Sequence, residues 1–270
     1  MSKQLNIMDI LKFISNKNNC KKCNEKTCLA FAASVIKGKK DLSDCPQIDK
    51  KITEKYGGKF ENKNIIESEQ ERVMKELKEK ISQIDLSSVA QKTGGRFSDS
   101  KLTLKVLGKD FSVHSDGTLS TDIHVNAWVA VPLLSFILTC KDDPVSGKWL
   151  PFRELKGGRS WQGLFENQCE KRLKKLADKY TNLFETLIDI FNGQKVENHY
   201  ESDISVVLYP LPKVPMLICY WKPDDGLESD LNLFFDASTE VNLNIEATYA
   251  LGVGLVTMFE KIALRHGITK

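Results

Sequence analysis

Four cysteines lie close together near the N-terminus of this chain of 270 residues. Their spacing is Cys20-x2-Cys23-x4-Cys28-x16-Cys45, and Pro46 follows the last of them. Two thiolates separated by two residues can ligate neighbouring corners of one metal centre, because a tight turn points both side chains the same way. The other two can approach from the start of a helix and from the loop that follows it. The pattern therefore predicts a metal centre held by four thiolates.

Four thiolates are compatible with either zinc or an iron–sulfur cluster. Structural zinc sites usually contain two C-x2-C pairs, or histidine in the second pair. Here the second half of the pattern consists of two single cysteines, and the first histidine in the chain is His114. We therefore expect a cubane iron–sulfur cluster. Zinc is one alternative, and four unrelated buried cysteines are the other.

A helix is expected to begin at the third cysteine. Thr27 can cap it, and apolar residues then recur at helical spacing to about residue 37. The N-terminus of this helix places backbone N–H groups near Cys28, where they favour an anionic cluster. Three neighbouring lysines add positive charge, namely Lys21, Lys22 and Lys26.

The cysteine-rich stretch resembles the small iron–sulfur domain at the N-terminus of the large subunit of corrinoid iron–sulfur proteins. It is also similar to the equivalent domain in the B subunit of Rnf-type electron-transport complexes. Their shared pattern, C-G-x-C-G-x-x-T-C-x-x-F/Y-A followed by C-P, is matched by Cys20, Cys23, Thr27, Cys28, Phe31, Ala32, Cys45 and Pro46. Over about residues 5–57, the resemblance implies one [4Fe–4S] cluster that the four cysteines hold and that passes single electrons. Lys21 and Asn24 occupy positions where these domains commonly have glycine. The difference affects the backbone turn between the cysteines and leaves the four metal ligands unchanged.

Charge is unevenly distributed along the chain. Residues 1–57 contain twelve lysines and six acidic residues, whereas the whole chain has a net charge of only +3. A basic module can indicate nucleic-acid binding. However, its lysines are scattered, its aromatic residues are sparse and no arginine precedes Arg72. These features favour an anionic cofactor or an acidic protein partner, and not nucleic acid.

Hydropathy and cysteine content indicate the compartment. No run of about 18 uncharged apolar residues is present, so a membrane span is not expected. The first residues lack the cleavage site of a signal peptide. Seven cysteines, an odd number, argue against a disulfide framework. We therefore expect a cytoplasmic protein.

Three parts are expected along the chain: an iron–sulfur domain over 1–57, a charged connecting helix over 58–84 and a larger α+β domain over 85–270. Alternating apolar residues predict strands over 101–108, 110–120, 203–209, 215–221 and 231–236. Helical periodicity predicts helices over 125–140, 169–193 and 245–265. Because the strands are short and linked by hairpins, an antiparallel sheet with packed helices is favoured.

Residues 85–268 resemble a family of anaerobic bacteria and archaea known as domain of unknown function 3786. The residues that carry the resemblance are "GKWLPFRELKGGRSWQGLF" (147–165), "LPKVPMLICYWKPDD" (211–225) and "LFFDAS" (233–238). This resemblance implies no particular activity.

Within the large domain, the stretch "FRELKGGRSWQG" is the best candidate for a ligand site. Arg153, Glu154, Arg159 and Trp161 surround a Gly-Gly pair, and they could bind a flat anionic cofactor through a guanidinium fork and ring stacking. The alternative is structural, with Arg153 and Glu154 as an ion pair and Trp161 packed beneath the loop. A phosphate loop is excluded because no G-K-[ST] follows the glycines.

Other chemistry-bearing residues give weaker patterns. His114 and His124 could be axial ligands to a metal in a macrocycle, although histidines in exposed hairpins are common. Cys140, Cys169 and Cys219 are interpreted as buried structural thiols, with a second metal centre as the alternative. No Ser–His–Asp or Cys–His arrangement has a spacing that favours a hydrolase.

These patterns together predict an iron–sulfur protein of anaerobic metabolism that transfers single electrons to a redox partner protein or a bound cofactor. The related iron–sulfur domains often serve corrinoid chemistry, so a corrinoid or a corrinoid protein is the first acceptor to consider. The alternative is a non-redox binding module in which the metal centre is structural. Whether the protein is an enzyme stays open.

Overall fold

Helices form the first part of the chain, and helices with two antiparallel sheets form the second. The computed structural model describes residues 6–36, 40–56, 62–121, 127–180, 182–197 and 199–265. Two units divide the chain between Val73 and Met74. The expected domain boundaries at residues 57 and 84 stay a prediction.

The first unit contains three short helices, α1 (Ile7–Phe13), α2 (Cys28–Ile36) and α3 (Lys50–Tyr56). A 3₁₀ turn, Leu42–Asp44, precedes α3. The helix α2 begins where the sequence predicts, and its predicted end at residue 37 lies outside the described residues. The side chains that form the buried core of this unit are Ile10, Ile14, Phe31, Ala32, Val35, Leu42, Cys45 and Ile48.

A longer helix, α4 (Asn62–Ile81), follows in the charged stretch. Its last turns contribute to the core of the second unit, because Met74 and Leu77 pack against that core and Ile81 is fully buried in it. The C-terminal end of α4 is therefore part of the packed second unit.

Among its described residues, the second unit contains two β-sheets. The first consists of β1 (Arg96–Ser98), β2 (Lys101–Val106), β3 (Lys109–His114) and β4 (Leu119–Ser120), in that spatial order. The second has the order β5-β9-β8-β7-β6, and its strands are β5 (Trp149–Pro151), β6 (Gln194–Lys195), β7 (Ile204–Leu211), β8 (Val214–Trp221) and β9 (Asp230–Asp236). All neighbouring strands are antiparallel. The predicted α+β class is therefore confirmed.

Seven helices of the described chain accompany these sheets. They are α5 (Leu86–Thr93), α6 (Ala127–Thr139), α7 (Gln162–Phe165), α8 (Lys171–Lys179), α9 (Leu183–Phe191), α10 (Thr239–Asn242) and α11 (Ile245–Arg265). Helices α6 and α11 approach closely at Gly254, where an added Cβ would lie 2.8 Å from the backbone oxygen of Trp128. In the described part of the chain, α11 is the one helix long and apolar enough to cross a membrane, and 56% of that stretch is buried inside the fold. Packing in the core accounts for its apolar character.

The single helix predicted over 169–193 is wrong. The chain between α8 and α9 is extended at Tyr180, with φ −122° and ψ 99°. Contacts from outside the helix explain the break, because Asp178 accepts hydrogen bonds from Tyr220 Oη at 2.9 Å and Ser229 Oγ at 2.6 Å. These bonds hold the end of α8 beside the sheet, and the helical periodicity of the sequence continues across the break.

Between α7 and α8 the helix widens into a π-helical segment, Glu166–Glu170. Such a bulge changes the direction of the side chains along a helix. Here Cys169 is fully buried and Glu170 is only 8% exposed. The backbone N–H of Leu233 in β9 donates a hydrogen bond to Glu170 Oε1 at 3.2 Å. Burial nevertheless raises the pKa of Glu170 to about 7.

We expect Glu170→Gln to stabilise the second unit above neutral pH. The folded chain binds a proton at Glu170 up to about pH 7, whereas the unfolded chain loses it near the ordinary pKa of 4.5. Stability therefore falls as pH rises between these values. Glutamine stays neutral and keeps the acceptor for Leu233. The variant should exceed the wild type by about 2–3 kcal/mol at pH 8 and differ little at pH 4.

Urea unfolding followed by tryptophan fluorescence measures this difference, since all four tryptophans lie in the second unit: Trp128, Trp149, Trp161 and Trp221. The matched control is Glu228→Gln, because the Glu228 side chain is 95% exposed. An equal effect of Glu170→Gln at both pH values would contradict the assignment of a buried, proton-binding carboxyl.

Candidate functional site

One cavity in the first unit brings the four predicted cysteines together. Cys20, Cys23, Cys28 and Cys45 all line it. Ile14 and Phe31, both fully or almost fully buried, form its apolar wall. The four thiols therefore share one site, as ligands of a common metal centre must.

The start of α2 fixes the third cysteine. The backbone N–H of Ala30 donates to Thr27 Oγ1 at 3.0 Å, so Thr27 caps the helix as predicted. The backbone N–H of Cys28 donates to Asn19 Oδ1 at 2.8 Å. This second bond ties the helix start to the residue just before Cys20, and it thereby keeps two cysteines near each other.

A tight turn connects the first two cysteines. Within it, the N–H of Asn24 donates to the carbonyl oxygen of Lys21 at 3.0 Å. Both residues have left-handed backbone with φ 58°, and they occupy the positions where related domains commonly have glycine. Glycine adopts this conformation freely and asparagine tolerates it, whereas for lysine it costs roughly 1–2 kcal/mol. The backbone conformation of the turn therefore favours glycine at both positions.

The fourth cysteine is the most deeply placed of the set. Cys45 is 5% exposed and follows the 3₁₀ turn that Asp41 caps, where Ser43 N–H donates to Asp41 Oδ1 at 2.9 Å. Burial raises the pKa of the Cys45 thiol, and negative charge on the other three cysteines raises it further, while the N–H of Gln47 opposes them. Four thiolates in this cavity therefore require a positively charged centre to offset their charge.

A single ion and a cluster require different spacings of the four thiols. Zinc–sulfur bonds of about 2.3 Å would draw four thiolates tightly around one tetrahedral point. Among the described residues, no three His, Cys, Asp or Glu side chains are arranged to hold a single metal ion.

Charged and apolar groups surround the site at the surface. Lys21, Lys22 and Lys26, whose positive charge the sequence places near the site, are exposed. Leu29, next to Cys28 in α2, is an apolar side chain that is 55% exposed beside the site.

The predicted ligand site of the second unit is spread over two 3₁₀ turns. Arg153 and Glu154 are exposed on the turn Phe152–Glu154, and no ion pair joins them among the described residues. Arg159 is exposed on the turn Gly158–Trp161, whereas Trp161 is half-buried and packs on Tyr249 with ring centroids 5.2 Å apart. A common ligand for these four residues stays a prediction.

The glycine pair between the two turns has a steric role. Gly157 has φ 85°, and a Cβ at Gly158 would overlap the carbonyl oxygen of Phe152. The N–H of Gly158 donates to the carbonyl oxygen of Leu155 at 2.8 Å. Glycine is therefore required here by close backbone packing.

A cleft beside these turns contains residues that the sequence did not single out. Arg153 lines it together with Gln162 and Glu170, whereas Glu154, Arg159 and Trp161 are not among its lining residues. Sequence reasoning missed Glu170 because it lies in an amphipathic, charge-rich helical stretch. Charged residues in such a stretch are normally solvated.

The remaining candidate residues have structural surroundings. Cys140, Cys169 and Cys219 are buried, and burial raises the pKa of each thiol. The ring nitrogen Nε2 of His114 lies 3.0 Å from Ser120 Oγ, and His124 lies outside the described residues.

Comparisons with known proteins match both parts of the chain. Residues 16–47 match the family described as "Putative Fe-S cluster", which confirms the iron–sulfur resemblance. Over 45 residues the chain is 44% identical to the acetyl-CoA decarbonylase/synthase complex subunit gamma of Methanothermobacter thermautotrophicus. That match covers 17% of this chain and 10% of the relative.

No solved structure is significantly similar to this chain. Residues 85–258, more than half of the chain, match the family described as Domain of unknown function (DUF3786). The resemblance of the large domain is thereby confirmed, and the chain belongs to the DUF3786 family.

Proposed function

We propose that Cys20, Cys23, Cys28 and Cys45 hold one [4Fe–4S] cluster and that the protein transfers single electrons to a partner. The observation that carries this proposal is the single cavity that all four thiols line. When bound, a cluster of this type accepts and releases one electron.

Each part of the cavity has a distinct task in this proposal. Ile14 and Phe31 exclude water from the inner side of the cavity. The hydrogen bonds of Thr27 and Asn19 hold the start of α2 beside the thiolates, and the positive end of the helix dipole offsets their negative charge. Together with the lysines of the turn, these groups determine how readily the site accepts an electron.

The surface beside the cavity favours a protein partner. Exposed Leu29 offers an apolar contact next to a cysteine ligand, and Lys21, Lys22 and Lys26 supply positive charge around it. An acidic partner surface with an apolar centre complements both features. The expected result is a short separation between the thiolates and the electron acceptor.

We propose a corrinoid or a corrinoid-binding protein as the acceptor to test first. Two resemblances support it: the cysteine pattern is similar to that of corrinoid iron–sulfur proteins, and one relative is named as a subunit of the acetyl-CoA decarbonylase/synthase complex. The proposed setting is anaerobic metabolism in the cytoplasm.

Replacing any one of the four cysteines with alanine is expected to remove or degrade the cluster. Three thiolates leave one corner without its ligand, and the small unit then loses the binding free energy that stabilises it. Iron and acid-labile sulfide per chain, measured after anaerobic purification, should fall to less than about half of the wild-type content. The matched controls are Cys140→Ala and Cys219→Ala, because both thiols are buried elsewhere. Unchanged iron and sulfide in all four single variants would contradict the ligand assignment.

A redox titration separates electron transfer from a structural role. The wild-type protein is expected to show a reversible one-electron transition in the visible absorption of the cluster. The double variant Lys21→Gln/Lys22→Gln should titrate at a more negative potential, because it removes positive charge that stabilises the reduced site. Lys50→Gln, an exposed lysine outside the cavity lining, is the control and should leave the potential unchanged. A centre that is present but shows no reversible transition would identify a structural, non-redox module.

A further inference from the structure

The cleft of the second unit has a volume of about 510 Å³. This size is typical of sites for small organic ligands. Its wall contains Arg153 from the turn before α7, Gln162 and Glu170 from the helix with the π-helical segment, and residues 228–232 at the start of β9. The proposed electron transfer uses none of these residues.

Equal numbers of positively and negatively charged residues line the cleft. Its cations are Arg153, Lys171, Lys174 and Lys175, and its carboxyl groups are Glu166, Glu170, Glu228 and Asp230. Some of these groups already pair with each other or with a neighbour. Lys171 Nζ lies 2.8 Å from Glu166 Oε1, and Lys174 Nζ lies 3.4 Å from Asp178 Oδ2.

Three side chains that line the cleft can form further hydrogen bonds. Within the described residues, the guanidinium of Arg153 forms no hydrogen bond or ion pair. The buried Glu170 carboxyl receives one hydrogen bond there, from the N–H of Leu233. The Oε1 atom of Gln162 is buried and, in the same part of the chain, has no hydrogen-bond partner. One strong donor and two acceptors therefore lie in one cleft.

We infer that this cleft binds a zwitterionic amino acid, with the ligand's carboxylate on Arg153 and its ammonium group donating to Glu170 and Gln162. An anion without a donor would leave both buried acceptors unsatisfied, which costs binding free energy. A simple cation would leave the guanidinium without its planar, bidentate acceptor. A ligand with both groups satisfies all three side chains.

The pairing with ammonium requires an ionised Glu170. Because burial raises the pKa of Glu170 to about 7 in the free protein, the affinity should rise with pH up to about this value. Below it, each pH unit should weaken binding by about tenfold. The charged groups that face Glu170 in the cleft are Glu166, Lys171, Lys174 and Lys175 on its own helix, Arg153 on the neighbouring turn, and Glu228 and Asp230 before and in β9.

Thermal unfolding of the full chain, purified anaerobically with its metal centre, tests the inference. Each of the twenty standard amino acids is added separately at pH 8, and acetate and methylammonium are added as probes that carry one charge each. At least one amino acid should raise Tm, and neither single-charge probe should do so at the same concentration. No rise in Tm with any amino acid, or an equal rise with acetate or methylammonium, would overturn the inference.

Variants assign the effect to the cleft. Arg153→Gln and Gln162→Met should each weaken binding of the stabilising amino acid by about tenfold or more, measured by isothermal titration calorimetry. Glu170→Gln should weaken it and also remove its pH dependence between pH 6 and 8. Lys156→Gln is the matched control, because Lys156 is exposed close to Arg153 in the chain and does not line the cleft. Full affinity in Arg153→Gln, or loss of affinity in Lys156→Gln, would overturn the assignment.

Discussion

Electrostatic repulsion among four thiolates is the constraint on which the first unit depends. The pKa of Cys45 is raised by burial and by the charges of Cys20, Cys23 and Cys28, so the cavity opposes full deprotonation when nothing compensates it. A positively charged metal centre on the four thiolates, as proposed, would remove that opposition and link residues on both sides of α2. The remaining features of the unit, including the cap at Thr27, serve to hold the thiols around one point.

In the second unit, the corresponding constraint is the burial of the Glu170 carboxyl group. Its core is large enough to bury much of the apolar helix α11, and it holds the carboxyl group of Glu170 almost out of water. The π-helical segment accomplishes this by turning Glu170 inward from a helix whose neighbouring residues are mostly charged. Burial of a carboxyl group is costly, and here it outweighs the nearby guanidinium of Arg153, which favours the charged form. We interpret this cost as the signature of a binding site.

Particular residues show what the sequence could and could not predict. The shared cavity of the four cysteines, the cap at Thr27 and the strands β7, β8 and β9 follow local rules of ligand spacing, capping and alternation, and these features appear where expected. The short strands β5 and β6 carry too little alternation to be predicted. The break at Tyr180 depends on hydrogen bonds from β8 and from the residue before β9 to Asp178, which local periodicity does not contain. The cleft depends on residues 153, 162, 170 and 228–232 meeting in space, so no local motif marks it.

Metal analysis is the most direct test of whether the four thiolates hold one four-iron cluster. Iron, acid-labile sulfide and zinc are measured on one sample of the full chain purified without oxygen. We expect iron and sulfide in equal amounts, about four of each per chain, with little zinc. Zinc at about one atom per chain without sulfide would contradict it, because a single tetrahedral ion would then occupy the four cysteines.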